Sequence, residues 1–88
     1  LVEMVAKFYD VAVADLKSAK RDAPVTKARQ ILMALAKKHF GRTFERIGEF
    51  FGGKNHAGVM YAVKNVEKKM AEDEQLAKDF AVFEGWLE

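Results

Sequence analysis

Apolar residues return along this chain at three- and four-residue steps in several separate tracts, and no stretch alternates as a half-buried strand would. Residues 2–8 predict a short amphipathic helix and residues 13–18 a second, single-turn piece. The periodicity then breaks in SAKRDAPVTKARQ, where Asp22 and Pro24 mark a basic loop. From Thr26 to His39, Ala28, Ile31, Leu32 and Leu35 form the stripe of a longer helix, and Gly41 is its natural stop. Thr43 is a suitable N-cap for FERIGEFF, with Phe44, Ile47 and Phe51 on one side and Gly52-Gly53 at the end. Asn55 can cap a further helix with Val59, Val63, Val66 and Met70 facing inward, and Asp73 a last one carrying Leu76, Phe80, Phe83 and Leu87. The expectation is an all-α, compact five- to six-helix domain with a central helix-turn-helix.

Residues 48–59, GEFFGGKNHAGV, allow two readings. The spacing G-x-x-x-x-G-K is that of a phosphate-binding P-loop, with Asn55 in place of the magnesium-binding hydroxyl. A P-loop requires a buried strand ahead of its first glycine, whereas Gly48 falls inside a helical pattern. The glycines are more simply the sharp turn of a helix-turn-helix. In the helix that follows, Ala57, Tyr61, Lys64 and Lys68 fall opposite the valines at about 100° per residue. Its outer face is therefore cationic, and its first turn is small enough to approach base edges. Tyr61 can equally be a half-buried surface aromatic.

Composition sharpens this picture in three ways. The 88 residues suit one domain, 1–88, and the chain begins at Leu1, as expected of a C-terminal fragment of a longer protein. Cysteine is absent, so disulfides and thiolate metal sites are excluded, and no apolar run is long enough for a membrane span. Residues 17–69 hold thirteen Lys/Arg against four Asp/Glu, while 1–16 and 70–88 are both net acidic. That segregation is the footprint of a polyanion binder, or else of a solvated lysine-rich surface.

The order VAKFYDVAVADLKSAKR, then ARQILMALAKK, then IGEFFGGKNHAGVMYAV resembles the C-terminal DNA-binding domain of the bacterial replication initiator DnaA, over residues 5–66. In that family the helix after the glycines enters the major groove of a short box near replication origins, and a loop arginine lies in the minor groove. By position the resemblance makes Arg21 the minor-groove arginine and Lys54, Asn55, His56, Ala57 and Gly58 the base-reading tract. It places Lys20, Lys27, Arg29, Gln30 and the helix-start amides at Thr43 and Phe44 on the DNA backbone; Lys64 joins them as a basic side chain further along the helix. The family tract usually reads basic-Asp-His-Thr-Thr. Asn55 replaces an acceptor for cytosine N4 with a group suited to adenine, Ala57 keeps only a methyl contact, and Gly58 has no side chain. The altered tract points to shifted or weakened specificity.

The expected partner is double-stranded DNA, bound without catalysis, cofactor or metal by a domain that is monomeric in isolation and cytoplasmic, in the bacterial nucleoid. An ATP-dependent module would lie outside these residues. The alternative is a DnaA-like interaction module with weak or altered DNA specificity. His56 reads as a DNA contact rather than only a cap, and His39 as a satisfied, partly buried residue at a helix C-terminus. Glu72, Asp73 and Glu74 read as a favourable first turn, and the phenylalanines and Trp86 as core.

Overall fold

The computed structural model describes residues 1–87. Glu88, counted in the acidic C-terminal stretch and in the expected 1–88 domain, lies outside the described residues. Six helices follow in order: α1 (Val2–Phe8), α2 (Val13–Leu16), α3 (Ala23–Phe40), α4 (Phe44–Phe50), α5 (His56–Met70) and α6 (Glu74–Gly85). No strand occurs among the described residues.

Helix α3 is the central element, packing chiefly on α5 and also on α1, α2 and α4. Its side chains are buried almost all round from Ala28 to Leu35, as a helix contacted from several sides must be. It begins earlier than the periodicity predicts. Pro24 does not sit in a loop but in the first turn, where its missing N–H has no intrahelical partner to lose, and Asp22 occupies the N-cap position. Gly41, at φ 60°, takes the left-handed conformation that ends the helix. The second predicted segment stops at Leu16 rather than residue 18.

The caps expected for the later helices are present. Thr43 accepts from the Arg46 amide, Asn55 from Ala57 and Asp73 from Leu76. Val59, Val63 and Val66 are buried, as are Leu76, Phe80 and Phe83, with Met70 and Leu87 packed against them. Helix α6 is held by polar ties as well as by its stripe. The Tyr9 hydroxyl donates to Asp79 at 2.8 Å, and Glu84 accepts from Lys38 at 2.7 Å and meets His39 Nε2 at 2.6 Å. His39 is thus satisfied by Glu84 as expected, but it is exposed rather than partly buried, because it lies in the last turn of α3 at the edge of the packing.

The aromatic residues correct one expectation. Phe51, Phe80 and Phe83 are core, but Phe8, Phe40 and Phe50 are about half exposed and Trp86 more than a third. Phe8 meets the core edge-on, 4.9 Å from Phe83, Trp86 packs tilted on the same ring at 5.1 Å, and Phe50 lies beneath the Lys17 ammonium at 4.5 Å.

Candidate nucleic-acid interface

The turn between α4 and α5 depends on three glycines in different ways. Gly48 is buried on α4, where any Cβ would overlap the Lys54 carbonyl; the Lys54 amide in turn donates to Gly48 at 2.9 Å. Gly52 and Gly53 have φ of 85° and 77°, conformations that an L side chain rarely adopts. The P-loop spacing is thus a helix glycine at close approach followed by a reversal of the chain. That reversal presents the first turn of α5.

Asn55, His56, Ala57 and Gly58 are all exposed at this end, and Tyr61, Lys64 and Lys68 continue the face. Tyr61 is 67 % exposed, so it is not half-buried. The Asn55 side-chain oxygen accepts from the Ala57 amide at 2.7 Å, so the residue expected to read bases also caps the helix. Space around Gly58 is open, with nothing within 4 Å of the position a Cβ would take. Lys54 behaves differently from its neighbours. Its ammonium turns back and donates to the Ser18 carbonyl at 2.7 Å.

The second half of the candidate surface is the loop between α2 and α3. Arg21 is exposed there, whereas Lys20 pairs with Asp15 at 3.4 Å and with Asp22 at 3.6 Å. Arg29 departs from the expected phosphate contact. It is only 5 % exposed, and its guanidinium donates to the carbonyls of Leu16 (2.8 Å), Asp15 (2.8 Å), Lys20 (2.9 Å) and Ser18 (3.2 Å). Burial first, and then the neighbouring Arg21 charge, press the Arg29 pKa below its ordinary value. Burial likewise lowers that of Lys54, with further contributions from Arg29 and Arg21. Three cations therefore lie within electrostatic reach of one another, two of them satisfied by carbonyl dipoles rather than by carboxylates.

The remaining expected contacts divide. Gln30 accepts from Asn65 at 2.9 Å and so links α3 to α5 rather than standing free. Lys27 lies 5.1 Å over the Tyr9 ring, facing α1. Thr43 and Phe44 stand at the start of α4, with Phe44 partly buried beneath the Lys37 ammonium at 4.5 Å. The structure thus brings Arg21, Arg29 and Lys54 together next to the α5 tract. Asn65 and Ser18 were missed, Ser18 because its role is through a backbone carbonyl. Among the described residues no group of three or more His, Asp or Glu is placed to hold a metal ion, and no helix is long and apolar enough to cross a membrane.

Comparison with known families agrees with this architecture: residues 1–66 match the family described as bacterial dnaA protein helix-turn-helix. The chain belongs to that family. The match runs from α1 into α5, so it contains the loop, the turn and the exposed α5 tract. The chain is also 41 % identical over 83 residues to the chromosomal replication initiator proteins DnaA of Burkholderia multivorans, Burkholderia vietnamiensis and Burkholderia mallei. The alignment covers 94 % of this chain and 16 % of each relative, so the chain spans about a sixth of their length and its likeness to them extends into α6.

Proposed function

We propose that this domain binds double-stranded DNA at replication-origin-type boxes, with the start of α5 in the major groove and Arg21 in the minor groove. One observation carries the reading: a small, exposed helix start, Asn55 to Gly58, stands beside a loop that presents Arg21, and the two are tied through Lys54 and the Ser18 carbonyl. A helix N-terminus of this kind admits base edges, and an adjacent arginine suits a narrow groove of negative potential. The exposed Arg21, with the charges of Arg29 and Lys54 held behind it on backbone carbonyls, favours an anionic surface. Family membership supports the same reading, and binding of this kind needs no cofactor within the domain.

The altered tract supports a specificity different from that of the family. Asn55 already uses its oxygen as a cap, Ala57 offers a methyl group and Gly58 nothing. The test is selection of bound duplexes from a random pool, followed by binding of the selected site over a range of salt. A defined box and a log–log salt slope of about −0.9 for each phosphate neutralised are expected. A flat salt response would remove the DNA reading, and salt-dependent binding without any selected sequence would favour a non-reading module.

A further inference from the structure

We propose that Arg29 and Lys54 are positioning residues that lock the Arg21 loop to the start of α5, so that both DNA-reading elements meet the duplex as one rigid unit. This rests on the DNA reading above and assigns a role within it. Helix α2 ends at Leu16, where the Lys17 and Ser18 amides close onto the Ala14 and Asp15 carbonyls and the Leu16 carbonyl accepts from Arg29. The loop that follows turns the carbonyls of Ser18 and Lys20 toward the same point. Arg29 occupies that point, its Nε on Leu16 and its Nη2 shared among Asp15, Ser18 and Lys20. Arg21 follows the last of these anchored residues directly.

The other side of the lock comes from the helix-turn-helix. Lys54 donates to the same Ser18 carbonyl that Arg29 reaches, and it immediately precedes the Asn55 cap of α5. Gly52 lies so close to the Lys17 carbonyl that a Cβ there would overlap it. The turn and the loop base are therefore in contact at two successive residues, Lys17 and Ser18. The separation between Arg21 and Asn55 is set by this carbonyl cluster and not by the length of a free loop. A buried guanidinium with these partners orients the loop rather than neutralising a phosphate. Lysine could not replace it, since a compact ammonium lacks the planar fork that spans several acceptors.

The experiment measures binding of the wild-type domain and of Arg21→Ala, Arg29→Lys and the double variant to the selected site and to a copy whose A·T stretch is replaced by G·C. Arg29→Lys keeps its charge, yet is expected to lose roughly tenfold or more of the A·T discrimination, as Arg21→Ala does, with an unchanged salt slope. The double variant should lose little more than either single one, because both changes disable the same reader. Wild-type affinity in Arg29→Lys, or losses that add in the double variant, would overturn the lock while leaving the DNA reading intact. Absence of salt-dependent binding by the wild type would overturn both. If Arg29→Lys does not fold, Lys54→Met decides: discrimination lost in the A·T stretch supports the lock, and weakening equal for all duplexes overturns it.

Discussion

At the scale of single residues, the start of α5 joins an observed cap to the proposed reading of bases. Asn55 caps α5 through one oxygen, and aspartate is an equally good cap with a charge favourable to the helix N-terminus. Asn55→Asp should therefore keep the fold, raise stability by a few tenths of a kcal/mol, and move preference toward cytosine at one position, because its second oxygen can accept from N4. Selection from a random pool measures this, and an unchanged profile would mean that residue 55 serves only as a cap. Gly58 is the complementary case. Its surroundings are open, so Gly58→Thr should gain roughly 0.3 kcal/mol from helix propensity alone, seen in thermal unfolding without DNA. A loss of stability would mean that the helix start needs the freedom of glycine.

At the scale of elements, the attachment of α6 has a pH signature. Tyr9 leaves the end of α1 to donate to Asp79, a carboxylate only 6 % exposed that also accepts from Gln75 at 2.8 Å. Burial first, and then the bond and charge of Asp79, push the Tyr9 pKa above the ordinary 10.0. The neutral phenol is the form that the fold favours. Its contribution is fully present below the ordinary tyrosine value and is lost as pH rises beyond it. Tyr9→Phe should cost about 1–3 kcal/mol at neutral pH by leaving Asp79 short of a donor, and should remove this alkaline component from stability measured by urea unfolding. Equal stability of the two proteins at pH 7 would show that water replaces the hydroxyl at no cost. Glu84 responds at the other end of the scale, since its bond to Lys38 holds its pKa below the carboxylate range and its contribution is lost only in acid.

At the scale of the whole molecule, the charge pattern and the fold bear on one prediction. The chain measures 30 × 26 × 24 Å, and its basic residues lie in the middle of the sequence, in the segment that builds the loop, the turn and α5. Lys64 is exposed on the outer face of α5. Lys64→Ala should weaken binding to all duplexes alike and lower the magnitude of the salt slope by about 1, because a phosphate contact carries position and not sequence. Loss confined to one base position would instead make Lys64 a base reader.

Periodicity alone determined an all-α order of five to six helices, the inward faces of α5 and α6 and three of the caps, because each depends on residues within a few positions of one another along the chain. Gly48 and Gly52-Gly53 were legible as a turn for the same reason. The role of Arg29 was not, although a signal existed: Val25 and Met33, four residues before and after it, are apolar, so a charge between them lies on a buried arc. What it binds could not be read, since its acceptors are backbone carbonyls, which every residue carries and no side-chain pattern marks. Lys54 on Ser18, Gln30 on Asn65, Tyr9 on Asp79 and His39 on Glu84 join residues 35 to 70 positions apart. Such pairs exist only once the helices have packed. The tertiary structure therefore decided which cations organise the surface and which remain free to meet a partner.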